Sequence, residues 1–340
     1  MREVAGAAGV AVSTVSKALR NDPTLPETRC REIQALATRL GYRPHPLVAT
    51  LMAQLHHHRR RNDPHSLAWI DLWPAVSGPV VAIPTEPILE GARERAGELG
   101  YRIEVYHPGR ENLTPDRLAR LLTDRGQWGV IIPPVPEAYM RFPLDLRGLA
   151  AVTIGTSLQE PVMHRVSPNH FQGCTLALQQ LRTHGFRRMG LVLSPAMNKR
   201  TEGKWLGAFL AVQAESNAPE RLAPLLAGPE DRPALATWLK REQPEVVLVA
   251  ETFPWPSVRR GLTPGGKLPA RAWLMLPPAA SQLSAGGLDY RPEQLGRVAV
   301  EMVVAQIHRN ERGRPLTPQT VLIDAIWQAP RQPRRIKDTG

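Results

Sequence analysis

Between residues 67 and 326, short apolar runs alternate with segments whose apolar residues recur at helical spacing. Strands are predicted over 67–73, 103–106, 128–132, 150–154, 189–193, 246–250, 272–276 and 321–326. Helices are predicted over 86–100, 115–124, 171–184, 202–215, 232–242 and 292–308. In the first of these, Ile88, Ala92, Ala96 and Leu99 share one face. Such alternation implies parallel strands joined by right-handed helical crossovers, an α/β class. About 260 residues of it exceed one sheet of ordinary size, so two doubly wound, parallel-sheet lobes are expected. Pairs such as Pro133-Pro134 and Pro277-Pro278 suit strand ends, where a missing N–H costs no ladder bond.

Ahead of this body stands an all-α pattern. Val4, Val10, Val15, Ala18 and Leu19 fall at spacings that let two short helices share one miniature core. Ala5, Ala8 and Gly9 are small where the helices cross, and Gly9 supplies the positive φ of a tight turn. Val12, Ser13, Ser16 and Lys17 are left facing outward. A third helix follows Pro26, with Ile33, Leu36, Ala37 and Leu40 as its stripe. Helix, turn and helix in this order can present the second helix to a DNA major groove. Ser13, Thr14 and Ser16 can bond phosphates or base edges, and Lys17 can reach a guanine acceptor or a phosphate. A surface hairpin with a solvated lysine is the plainer reading of the same residues.

Charge agrees with a polyanionic partner. The chain carries 43 Lys+Arg against 31 Asp+Glu, a formal +12, and such an excess favours association with nucleic acid through counterion release. Arg59-Arg60-Arg61 follows the stretch after the headpiece, and Arg331, Arg334, Arg335 and Lys337 crowd a C-terminal run expected to be solvated. His56-His57-His58 point around a helix rather than toward one ion, so no metal site is expected there.

Val4 to Leu19, with the core Ser13-Thr14-Val15-Ser16, and Leu40-Gly41-Tyr42-Arg43-Pro44 together resemble the LacI/GalR family of bacterial transcription regulators. The resemblance implies a helix-turn-helix headpiece (1–43), a hinge helix and linker (44–65), a two-lobed effector-binding and dimerisation domain (66–330) and a basic tail (331–340). It places 66–156 and 290–328 in the lobe nearer DNA and 157–289 in the distal lobe, a body like periplasmic sugar-binding proteins. By position, Val12, Ser13 and Lys17 match base-reading residues, and Thr14 and Ser16 match phosphate contacts. Leu51 matches a hinge leucine that wedges between base pairs, a role suited to an apolar side chain that unstacks a step. The chain opens at Met1-Arg2-Glu3, almost inside the first helix and without a side-chain cap; the resemblance implies a start further upstream.

The effector site departs most from the pattern. Pro168 stands where the family has an acidic residue, Ala250-Glu251-Thr252 where it has an Asn-Asp pair, and Leu276-Pro277-Pro278 where it has Gly-Tyr-Asp. Lys204 aligns with a ligand-contacting arginine. Candidate lining residues are Asn169, Phe171, Asn198, Arg200, Lys204, Trp205 and Glu251. Phe171 and Trp205 equally suit a helix-face core, and Arg200 with Lys204 suits an anionic ligand or a solvated helix start.

No Gly-rich dinucleotide loop, phosphate loop or G-x-S-x-G elbow is present, so no enzyme or cofactor is expected. Cys30 and Cys174 are too few for a disulfide framework and fit a reducing cytoplasm. The sequence therefore predicts a dimeric operator-binding regulator, expected to be a repressor, controlled by a small metabolite in the inter-lobe cleft. The rival is a solute-binding protein without operator-specific DNA activity, which the lobes alone would support.

Overall fold

The computed structural model describes residues 1–19, 25–41, 65–74, 85–253, 268–276 and 284–330. Three helices come first: α1 (Arg2–Ala8), α2 (Val12–Leu19) and α3 (Glu27–Arg39). Gly9 ends α1 at φ 64°, a conformation without steric cost for glycine. Val4, Ala5, Val15, Ala18, Cys30, Ile33 and Ala37 form their core. Of the expected core residues, Val10 and Leu19 are only partly covered, Leu40 is exposed, and Cys30 takes a place that the helical stripe did not assign. Two side chains of α3 staple the others: Gln34 Nε2 donates to the Ala18 carbonyl at 2.8 Å, and Arg29 Nη2 to that of Ala8 at 3.2 Å. Both acceptors lie at helix C-termini, where carbonyls lack intrahelical partners.

The body holds two six-stranded sheets. The first contains β1 (His65–Ile70), β2 (Tyr101–Tyr106), β3 (Gly129–Ile132), β4 (Ala150–Ile154), β5 (His164–Pro168) and β11 (Thr320–Ile323), in the order β11-β5-β4-β3-β1-β2, all parallel. The second contains β6 (Met189–Leu193), β7 (Leu225–Leu226), β8 (Val246–Val249), β9 (Ala270–Trp273), β10 (Ser284–Asp289) and β12 (Ile326–Gln328), in the order β12-β10-β9-β8-β6-β7. Only β12 runs antiparallel to its neighbour among these pairs. The fold is thus α/β with two parallel-sheet lobes and an N-terminal helical headpiece.

Helices cover both lobes: α4 (Glu86–Glu98), α5 (Pro115–Asp124) and α10 (Pro292–Arg309) on the first, and α6 (His170–Thr183), α7 (Pro195–Arg200), α8 (Lys204–Glu215) and α9 (Arg232–Glu242) on the second. α4 and α10 approach to backbone contact because Gly91 faces Glu293 and Gly296 faces Ile88. Any side chain at either glycine would overlap the opposite main chain. Gly129 admits Leu67 and Val303 in the same way, and Gly190 admits Trp238.

Among the described residues three connections join the lobes, after β5, after β10 and after β11. Two differ from the sequence expectation. The first crossing falls at Asn169 rather than near 156, because β5 belongs to the first sheet. That strand reads His-Arg-Val-Ser-Pro, with too little apolar character to register as a run. The closing strand expected over 321–326 is two strands, broken at Asp324-Ala325, one in each sheet. The strand β10, Ser-Ala-Gly-Gly-Leu-Asp, was not expected either, since two glycines mask it.

Candidate DNA-binding headpiece and inter-lobe cleft

Packing fixes which side of α2 is available. Val15 and Ala18 are fully buried against α1 and α3. Val12, at the start of the helix, is 41% exposed. Ser13 and Lys17 are exposed with it, while Thr14 and Ser16 are half-buried at the rim. One face thus carries an apolar methyl pair, hydroxyl groups and a cation. That combination suits thymine methyls, phosphates and purine acceptors. α1 has Met1 at its N-cap and no side-chain cap bond, as the opening residues led us to expect. Leu51, the hinge wedge of the sequence reading, lies outside the described residues, as does His56-His57-His58.

Open α/β sheets place ligands at the C-terminal ends of their parallel strands, and the candidate lining residues are sought there in both lobes. Around the connections between lobes, side chains form a compact tie. Asn169 caps α6, its Oδ1 accepting from Gln172 N at 3.3 Å, while its Nδ2 donates to Asp324 Oδ1 at 2.7 Å and its N to the Ile323 carbonyl at 2.8 Å. Gln172 Oε1 accepts from Ala325 N, and Arg291 Nη2 donates to the Asp324 carbonyl at 2.9 Å. Asp324 is therefore common to all three crossings, bonded by Asn169 through its carboxylate and by Arg291 through its carbonyl. Phe171, next to it, is 48% exposed.

Beyond the tie, His170, Trp205 and Tyr290 pack edge to face, with centroids 4.8 Å and 5.3 Å from the imidazole. Trp205 is buried and its Nε1 donates to Tyr290 Oη at 3.0 Å. Gly173 makes room for the Tyr290 phenol. Burial, aided by the charge of Lys204, pushes the His170 imidazole down to about 3. Burial pushes the Tyr290 hydroxyl up and the Cys174 thiol up to about 12. His170 Nδ1 and Asn198 Oδ1 are buried and lack a hydrogen-bond partner among the described residues.

Acidic groups near the strand ends are engaged. Glu251 accepts from Ser194 N at 2.9 Å and Ser194 Oγ at 2.8 Å, and Ser194 in turn caps α7. Glu202 pairs with Lys204 at 2.5 Å. Arg200 behaves differently: it leaves its own lobe. Its Nη1 donates to the Val135 carbonyl at 2.8 Å, its Nη2 donates to that of Pro136, and its own carbonyl accepts from Thr156 Oγ1 at 2.6 Å. All three partners belong to the first lobe. Arg165, on β5, holds the Thr156 loop by donating to the Gly155 and Leu158 carbonyls, both at 2.9 Å. His170 and Tyr290 were not singled out from sequence. A strand end followed by an aromatic, as at Tyr290, is the signal that would have found the latter.

Comparison with known proteins supports both parts separately. Residues 1–45 match the family described as "Bacterial regulatory proteins, lacI family". A search of curated protein sequences gives no match. Among solved structures, the lac repressor dimer bound to operator and the anti-inducer ONPF aligns with a TM-score of 0.53 at 16% identity, over 96% of each chain. The transcriptional regulator CelR in complex with cellobiose aligns with a TM-score of 0.52 at 16% identity, over 96% of this chain and 97% of that one. A regulatory protein of the LacI family from Chloroflexus aggregans aligns with a TM-score of 0.55 at 16% identity, over 78% and 97%. The match to the family model is thus confined to the headpiece, and the chain as a whole shares the two-lobed fold of these solved regulators. Among the described residues no helix is long and apolar enough to cross a membrane.

Proposed function

We propose that the protein is a sequence-specific DNA-binding transcription regulator, acting as a repressor, whose grip on a two-fold operator depends on a small molecule in the inter-lobe cleft. The observation that carries this reading is the exposed face of α2, with Val12, Ser13 and Lys17 exposed and Ser16 half-buried at the rim of a core closed by Val15 and Ala18. Val12, Ser13 and Lys17 read bases, and Thr14 and Ser16 hold phosphates. Leu51 wedges the duplex at the centre of the site. One headpiece reads too few base pairs for useful discrimination, so the working form is a dimer. The two solved regulators named with bound operator or cellobiose support a DNA partner and a small-molecule ligand by analogy of fold.

The mechanism is a change in the angle between lobes. The tie at Asn169, Asp324 and Arg291 keeps the three crossings together and so acts as the pivot. Closure alters the separation of the paired first lobes, hence of the hinges and headpieces, and the match to a fixed half-site spacing is gained or lost. Selection of bound sequences from random duplex DNA by the full-length protein tests this. An enriched two-fold motif, with the protein sedimenting as a dimer, is the expected result. No enrichment would leave the solute-binding alternative.

A further inference from the structure

Arg200 is 8% exposed, and among the described residues no other charged side chain falls in the buried class. Buried charges are ordinarily paired with an opposite charge, because removal from water is otherwise costly. Here the hydrogen-bond partners of the guanidinium are the neutral carbonyls of Val135 and Pro136. Burial alone lowers its pKa, with no carboxylate counteracting it. Glu202 and Glu251, the acidic residues nearest in the chain to this turn and to the end of β8, are taken by Lys204 and Ser194. A guanidinium has five N–H donors in a fixed fork, and two are placed. On the same turn, Asn198 Oδ1 is buried without a partner.

We propose that Arg200 determines the ligand class of the cleft: it bridges the lobes through Val135 and Pro136 and takes an anion, a carboxylate or a phosphate, as the missing counter-charge. This rests on the reading of the cleft as a ligand site. The anion engages the donors that Val135 and Pro136 leave over, and Asn198 Oδ1 accepts from a hydroxyl of the same molecule. Neutralising the guanidinium removes the cost of its burial in the closed arrangement, so the ligand strengthens a bridge that the protein already makes. A neutral sugar offers no such charge.

Thermal unfolding and calorimetric titration of the full-length protein with citrate, inorganic phosphate, glucose 6-phosphate and glucose test the proposal. Citrate or a phosphate compound is expected to bind and raise the unfolding temperature, and glucose is not. Response to citrate alone assigns a carboxylate, and response to the phosphate compounds assigns a phosphate. Arg200→Gln keeps a donor for one carbonyl and is expected to lose about tenfold or more in anion affinity, the scale of a charge-assisted hydrogen bond. Arg200→Lys keeps the charge without the fork and should fall between the two. If Arg200→Gln does not fold, an Arg200→Lys protein that binds the anion as the parent does would overturn the role. Equal binding of glucose, unchanged affinity in Arg200→Gln, or no binding of any anion would also overturn it. Sequence preference for DNA is measured without ligand, so its failure would remove the regulator reading and leave the anion site standing.

Discussion

The headpiece and the cleft solve recognition in different ways. In the headpiece, one eight-residue helix carries the candidate contacts, and the buried pair Val15 and Ala18 decides which of its side chains face out. In the cleft, contacting groups come from strand ends far apart in the chain: Arg200 meets Val135 across 65 positions, and Asn169 meets Asp324 across 155. A local device is set by spacing, whereas a non-local one is set by topology. The difference also divides the energetics. The headpiece core is a handful of small side chains, so one wrong substitution removes it. The lobes rest on four clusters, three of them with more than twice as many buried residues.

Val15→Asp should break the comparison most sharply. It places an unpaired carboxylate in a small core, a cost of about several kcal/mol against a domain only marginally stable. Headpiece amide signals should collapse and DNA binding should be lost, while the thermal transition of the lobes stays in place. Joint unfolding of both regions would show that they are not independent.

Gly296→Val attacks the other region. Its Cβ would overlap the Ile88 carbonyl where α4 meets α10, and overpacking of this kind costs about 1–3 kcal/mol or more. Calorimetry should show a lower transition for the lobes with headpiece signals unchanged below it. Smaller still is Asp324→Ala, which takes an exposed acceptor from Asn169 Nδ2 and costs about 1 kcal/mol. Its readout is the distance between spin labels on the two lobes, which should broaden. An unaltered distribution would remove the pivot.

A further effect concerns pH. The His170 imidazole sits at about 3 in the folded chain against 6.5 for the ordinary group. Between those values the folded state binds fewer protons than the unfolded one. The stability that the neutral ring contributes is complete above the ordinary value and is lost progressively as pH falls toward about 3. Urea unfolding at about pH 7.5 and about pH 4.5 should show a larger drop for the parent than for His170→Gln. Equal drops would contradict this.

Much of the fold was legible because apolar runs such as 150–154 and 189–193 are buried on both faces and so carry a continuous signal. β5 and β10 are faint in the sequence because Arg165, Ser167 and the glycines at 286 and 287 dilute that signal. The run at 321–326 looked like one strand because apolar residues flank Asp324, and only the sheets show that the chain changes lobes there. In the site, the outward face of α2 followed from its period. Nothing in the sequence says that Arg200 turns to Val135, since that depends on how two lobes meet. Nor does it say that Asn169 spends its amide on Asp324.

The central claim is that α2 touches base edges. Its most direct test measures affinities of the full-length protein for its selected duplex and for every single-base variant, with Lys17 intact and with Lys17→Ala. The substitution is expected to flatten discrimination at one position of each half-site and to leave the others ranked as before. A uniform loss across all duplexes, with discrimination preserved everywhere, would make Lys17 a phosphate contact and contradict base reading at that residue.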